Sequence, residues 1–191
     1  MKLHLIRHGR TLANEKHLYC GHTDISLSEK GKMDLLVLKN RVDYPKGDFF
    51  ITSGLKRCRE TLEILYDKSE DFSMAEWMEM NFGVFEMKSY EELKNRKDYK
   101  MWIQDVEKNK CPLGESQTIF LNRIQHGWIQ LKEICPNRED ANILVITHGG
   151  VIANSMELLF PKEKNFYEWQ PKCGRGYSIE LIDKKLKYQV I

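Results

Sequence analysis

The chain has 191 residues, enough for one domain with a substantial core and too few for two domains of ordinary size. Lys and Arg total 30 against 28 Asp and Glu, and a formal charge of +2 argues against nucleic-acid binding by bulk electrostatics while allowing a local basic pocket. No apolar run approaches the roughly 18 residues of a membrane span, and Met1-Lys2-Leu3 leads straight into a strand-like segment, so the expectation is a soluble, cytoplasmic protein without a signal peptide or membrane partner.

In chain order, the first element is the apolar run Leu3-His4-Leu5-Ile6, closed by Arg7-His8-Gly9. A short apolar run ending in a turn signal reads as a buried strand, and the residues past its carboxyl end lie where open α/β sheets place their ligand crevice. After Ser28, the spacing of Leu35, Leu38 and Val42 predicts a helix. Phe49-Phe50-Ile51-Thr52 is a second strand, ending at Ser53-Gly54, and Leu55, Cys58, Leu62 and Leu65 mark the helix that follows. The polar stretch over about 86–110 reads as a helical excursion over the sheet. Ser116 caps a further helix with a stripe of Phe120, Ile124, Trp128, Leu131 and Cys135, ended by Pro136. Ile143-Leu144-Val145-Ile146 repeats the grammar of the first strand and closes at Thr147-His148-Gly149-Gly150. A short helix over Val151 to Phe160 is stopped by Pro161, and two runs flanking Asp183-Lys184-Lys185 predict a hairpin with at least one antiparallel strand. Strands alternating with helices imply a mainly parallel sheet covered on both faces.

The five cysteines, Cys20, Cys58, Cys111, Cys135 and Cys173, show no C-x-x-C spacing and are read as free thiols. The chemistry lies at the strand ends. An arginine beside His8 disfavours protonation of the imidazole and leaves it nucleophilic, while its guanidinium offers a fixed fork of donors to phosphate. Arg57 projects from the first turns of a helix whose free N–H groups form a second anion-binding element. His148 stands at a third strand end, with Gly149-Gly150 permitting close approach of a ligand. Taken singly, His8 is a turn histidine, Arg57 and Arg59 a solvated helix face, and His148 a turn residue or metal ligand. No carboxylate or cysteine stands at ligand spacing beside His148. Three strand ends carrying His or Arg are harder to dismiss together.

The chain resembles the histidine phosphatase superfamily in its phosphoglycerate mutase-like branch. R-H-G-x-T-x-x-N is met by Arg7, His8, Gly9, Thr11 and Asn14, and G-x-x-D-x-x-L-[ST]-x-x-G by Gly21, Asp24, Leu27, Ser28 and Gly31. S-x-L-x-R falls on Ser53, Leu55 and Arg57, E-x-x-F-G-x-x-E on Glu79, Phe82, Gly83 and Glu86, G-E-S on Gly114 to Ser116, and [ST]-H-G-G on Thr147 to Gly150. The resemblance implies a single domain over 1–191, a three-layer α/β/α sandwich. It makes His8 the nucleophile that becomes a phosphohistidine. It gives phosphate binding to Arg7, Asn14, Arg57, His148 and Gly149, and proton transfer to Glu79. Composition alone does not separate Glu79 from Glu76; the family's spacing to Phe82-Gly83 selects Glu79, whose apolar neighbours Met78, Met80 and Phe82 suit a general acid, with Glu76 the fallback. Arginines and a cationic histidine supply the charge that magnesium supplies in other phosphoryl transfers, so neither metal nor cofactor is expected.

Arg10 stands where the family often has Glu, Gly54 where it has Pro, and Met87 where it has Gly. Arg10 either enlarges the positive field at the mouth or pairs with an acid; with Gly21 and Thr23 it is a weaker candidate for lining the substrate. Cys20 to Ser28 is similar to the corresponding stretch of α-ribazole phosphatases. The sequence therefore predicts hydrolysis of a small phosphomonoester, with α-ribazole 5'-phosphate the leading specific substrate. The alternatives are mutase-type phosphoryl transfer and a non-catalytic phosphate-binding module. Tyr90, Tyr99 and Trp102 are candidates to stack on a substrate ring or to pack on the sheet, and the oligomeric state is left open, a homodimer among the options.

Overall fold

The computed structural model describes residues 2–134 and 141–191. Six strands form one sheet in the order β3-β2-β4-β1-β5-β6. β1 (Lys2–Arg7), β2 (Phe49–Thr52), β3 (Phe72–Ser73) and β4 (Asn142–Thr147) are mutually parallel. β5 (Gly176–Ile182) runs antiparallel to β1, and β6 (Lys185–Val190) antiparallel to β5, so only β5 opposes the rest. The predicted hairpin is present, but its turn is the two residues Asp183 and Lys184, both at positive φ (51° and 63°). That is the turn whose twist matches paired strands; Lys185, read as turn because it is polar, is the first residue of an exposed edge strand.

The central strands are buried on both faces. One face packs Ile6, Leu144 and Ile146 against α2 (Glu29–Arg41) and α3 (Lys56–Tyr66) through Leu35, Cys58, Leu62 and Leu65. The other packs Leu3, Leu5, Ile143 and Val145 under α6 (Gln117–Ile134) and α7 (Gly149–Leu159) through Phe120, Ile124, Leu131, Val151 and Ile152. Burying each such side chain stabilises the fold by roughly 1.5–3 kcal/mol, so the carboxyl ends of these strands project from a well-packed core.

Ser28 caps α2 by accepting from Gly31 N, and Ser116 precedes α6 with its hydroxyl 3.4 Å from Ile119 N. Within the expected α6 stripe Trp128 is only partly buried, and Cys135 and Pro136 lie outside the described residues. The excursion holds two short helices, α4 (Tyr90–Leu93) and α5 (Lys97–Gln104). Its Tyr99 and Trp102 are buried with Tyr19, Phe82 and Phe85, and Tyr19 Oη lies 2.7 Å from Tyr99 Oη. They pack the excursion down rather than offering faces to a ligand, and Tyr90 is exposed. β3, α1 (Leu12–Glu15), α8 (Phe166–Trp169) and 3-10 turns at Ala75–Trp77 and Gly83–Phe85 were not expected; at two to four residues, each is too short to show a period.

Candidate active site

Strand register assembles the site. Arg7 pairs with Thr147, so His8 and His148 leave adjacent strands side by side, their rings 5.1 Å apart. Thr52 pairs with Ile146, which brings Ser53 to the same edge, where its Oγ lies 2.8 Å from His148 Nε2. Both histidines are buried, at 5% and 0% exposure.

His8 Nδ1 lies 2.6 Å from the Gly9 carbonyl oxygen. A carbonyl only accepts, so Nδ1 carries the hydrogen and Nε2 keeps its lone pair. Burial, then the charges of Arg57 and Arg7, hold the His8 pKa well below its usual 6.5. The same causes, with His8 itself, lower His148; without an anion both rings are neutral at pH 7. The cationic His148 of the expectation would need a bound anion to offset the arginines. Gly9 N donates to Thr61 Oγ1 at 2.9 Å, and that hydroxyl donates to the Arg57 carbonyl at 2.6 Å, tying the His8-Gly9 turn to α3.

Arg57, in the first turn of α3, is 1% exposed and donates from Nη1 to Thr23 O (2.9 Å) and from Nη2 to Gly21 O (2.6 Å). Glu86 fixes that loop by accepting from the backbone N–H groups of Gly21, His22, Thr23 and Phe82 at 3.0–3.2 Å. Gly21 has no room for a side chain: a Cβ there would sit 1.7 Å from the Met80 carbonyl oxygen. Gly21 and Thr23 thus bind Arg57 through their carbonyls. Arg7 donates from Nη1 to Pro171 O at 2.9 Å and lies against Gly149. Arg7 Nε, Arg57 Nε and His148 Nδ1 are buried with no hydrogen-bond partner. A buried polar atom left unpaired costs about 1–3 kcal/mol, more when charged.

Glu79 accepts from Gly150 N at 2.9 Å, at the start of α7, and from its own Met80 N at 3.0 Å. Glu76 instead accepts from Gln130 Nε2 of α6 at 3.1 Å. The spacing argument therefore chose the carboxylate that lies against the His148 strand end. Asn14 Oδ1 closes the capping box of α1 by accepting from Thr11 N and Thr11 Oγ1, which uses its oxygen but not its amide nitrogen. Arg10 takes the plainer of its two readings, facing Asp34 of α2 at 3.7 Å. Among the described residues the cysteines are free, and no group of three or more His, Cys, Asp or Glu is placed to hold a metal ion.

The family model of the histidine phosphatase superfamily (branch 1) matches residues 3–182. The chain belongs to the histidine phosphatase superfamily. It resembles the adenosylcobalamin/α-ribazole phosphatase of Salmonella typhimurium, at 29% identity over 188 residues, 96% of this chain and 92% of that one. The Escherichia coli protein of the same name is 31% identical over 157 residues, 80% of this chain and 76% of its own. The crystal structure of the α-ribazole phosphatase from Shigella flexneri superposes with a TM-score of 0.86 at 26% identity, covering 100% of this chain and 96% of that one. The protein is a phosphatase enzyme, and no helix among its described residues is long and apolar enough to cross a membrane.

Three side chains that hold backbone around the site were not assigned a role from the sequence. Glu86 and Glu115 each appeared inside a motif without a role, and Arg123 appeared in none. Motif order marks such residues; which backbone they hold is visible only after folding.

Proposed function

We propose that this phosphatase hydrolyses a small phosphomonoester through a phosphohistidine at His8, with α-ribazole 5'-phosphate as its substrate. The observation that carries the reading is the set of three unpaired buried atoms, Arg7 Nε, Arg57 Nε and His148 Nδ1, belonging to the residues packed closest in charge to His8. A phosphoryl group presents acceptor oxygens to all three and relieves their cost.

The proposed reaction runs in two steps. The His8 Nε2 lone pair attacks phosphorus, a P–N bond forms, and the P–O bond to the alcohol breaks. Glu79 gives its proton to the departing oxygen. Water then enters in place of the alcohol and gives a proton to Glu79 as its oxygen attacks phosphorus. The P–N electrons return to Nε2, and the sum is one ester and one water converted to alcohol and phosphate. Asn14, through its amide nitrogen, and Gly149, through the helix start, are assigned supporting contacts to the phosphoryl oxygens.

The relatives described above are phosphatases, which favours hydrolysis over mutase transfer, and their printed names together with the Cys20–Ser28 stretch support the ribazole assignment. The free thiols support a reducing, cytoplasmic setting. The test is quenched-flow trapping with a radiolabelled phosphomonoester, expected to give an acid-labile phosphoenzyme that His8→Ala lacks. Label retained by His8→Ala, or turnover that demands a bisphosphate primer, overturns the mechanism. A higher kcat/KM for a nucleotide, sugar phosphate or phosphoglycerate than for α-ribazole 5'-phosphate overturns the substrate alone.

A further inference from the structure

The segment bearing Glu79 has little regular structure of its own. It passes from the 3-10 turn Ala75–Trp77 to that at Gly83–Phe85, and no strand ladder fixes it. Side chains from outside hold it: Thr147 Oγ1 donates to Trp77 O at 2.7 Å, and Arg123 with Glu115 supplies most of the rest. Arg123, on the second turn of α6, donates from Nη1 to the carbonyls of Glu76 and Met78 at 2.8 Å, with Ala75 O farther at 3.4 Å, and from Nη2 to the carbonyl of Glu79 itself at 3.0 Å. Its remaining donors form a two-point pair with Glu115, Nε to Oε1 and Nη2 to Oε2, each 2.8 Å. Glu115 takes hold of the other flank: Oε2 accepts from Asn81 N at 2.8 Å, and Glu115 N donates to Asn81 O at 2.9 Å. Glu79 is thereby bracketed, carbonyls on one side held by the guanidinium and the peptide two residues on held by the carboxylate.

The pair is built for permanence. Both side chains are largely buried, at 19% and 12% exposure, and the guanidinium lies over the Phe120 ring at 5.1 Å. Burial opposes the Glu115 charge, yet the Arg123 and Asn81 hydrogen bonds outweigh it and lower the carboxyl pKa. An arginine with its fork spent on carbonyls and one carboxylate has little left for a substrate. The Arg123 fork is spent on the carbonyls of this segment and on Glu115, so its direct work is on the Glu79 segment.

We infer that Arg123 and Glu115 are positioning residues for proton transfer, holding the Glu79 carboxylate against Gly150 at the distance the leaving oxygen requires. The inference rests on the reading of Glu79 as the proton donor. Holding a catalytic group in place has a specific signature: its loss harms the reaction only where the proton is needed. An alkyl phosphomonoester needs its leaving oxygen protonated, whereas a p-nitrophenyl ester leaves as a stable anion.

The experiment compares Glu79→Gln, Arg123→Met, Arg123→Lys, Glu115→Gln and the double variant Arg123→Met/Glu79→Gln on an alkyl phosphomonoester and on p-nitrophenyl phosphate. General acid catalysis contributes about 10²–10⁴-fold, so Glu79→Gln sets the full loss on the alkyl ester. Arg123→Met is expected to lose about 30- to 300-fold in kcat there and less than about threefold on the aryl ester, with KM nearly unchanged. Glu115→Gln, which keeps the arginine's bonds to the carbonyls, is expected to show a milder form of the same selectivity. The double variant should be no worse than Glu79→Gln alone, because a positioning residue has nothing left to position. Equal losses on both esters, or a double variant that multiplies the single effects while Glu79→Gln is selective, overturns the positioning role. If Glu79→Gln itself is unselective, the acid assignment fails and the positioning role fails with it. Should Arg123→Met not fold, Arg123→Lys and Glu115→Gln read out the same selectivity, and absence of it in both rejects the inference.

Discussion

Gly150→Ala tests the proposed acid role of Glu79 by displacing its carboxylate without changing its chemistry. A Cβ on Gly150 would stand 2.3 Å from Glu79 Oε1 and 3.0 Å from its Cδ. Carbon and oxygen do not approach within 3.0 Å, so the carboxylate must retreat by about 0.7 Å, which also loosens its 2.9 Å bond from Gly150 N. Gly150 lies in the first turn of α7, where the chain is already helical, so alanine adds no backbone strain there. Stability should therefore change little while chemistry suffers, since misplacing a reacting group by about 1 Å can cost on the order of 100-fold. The measurement is kcat on an alkyl phosphomonoester beside p-nitrophenyl phosphate, with a thermal melt of the same preparation. The expected outcome is a drop of tens- to about 100-fold on the alkyl ester and near-normal turnover of the aryl ester. Unchanged alkyl turnover, or an equal fall on both, would refute the placement of Glu79 as the acid.

Gly149→Ala should strike a different function, because its Cβ would lie 3.1 Å from Arg7 Cζ and 3.2 Å from Nε; the expected result is KM and the vanadate inhibition constant raised about three- to tenfold, equivalent to about 1 kcal/mol, on both esters alike. Glu86→Gln replaces an acceptor of four backbone N–H groups with an amide that must turn donors toward them. Bonds to a charged acceptor contribute about 1.5–3 kcal/mol, so the melting temperature should fall and vanadate binding weaken as the Gly21 and Thr23 carbonyls release Arg57. His8 and His148 titrate below 6.5 in the folded protein, so between their folded pKa values and 6.5 the unfolded chain binds more protons. Their contribution is an acid-side penalty: stability is full above about pH 6.5 and is lost as pH falls below it, and His148→Asn should flatten that slope in pH-dependent melts. Vanadate, by offsetting the arginine charges, should reduce the loss as well.

Much of the fold was legible because its strands and longer helices declare themselves locally. Phe49–Thr52 falls within its predicted bounds, and the Cys58, Leu62 and Leu65 stripe faces the sheet as its spacing requires. The aromatic residues of the excursion were ambiguous for a physical reason: Tyr99 and Trp102 bury the same rings whether the partner is a ligand or Tyr19 and Phe82, and only the fold supplies the partner. Asn14 shows the same limit, its side chain being suited equally to a phosphate and to the end of a four-residue helix.

The sequence by itself determined the strand ends and, through its ordered family motifs, which residues to expect at the site, His8, Arg7, Arg57, His148 and Glu79, because each motif depends on residue type at short fixed spacing. The tertiary structure decided how those groups are held. Strand register set His8 beside His148, Glu86 turned the Gly21–Thr23 carbonyls onto Arg57, and Arg123 closed on a segment 44 to 48 residues away. Contacts of that separation leave no period in the chain; they exist because buried donors and acceptors must pair, and only the packed fold determines which ones meet.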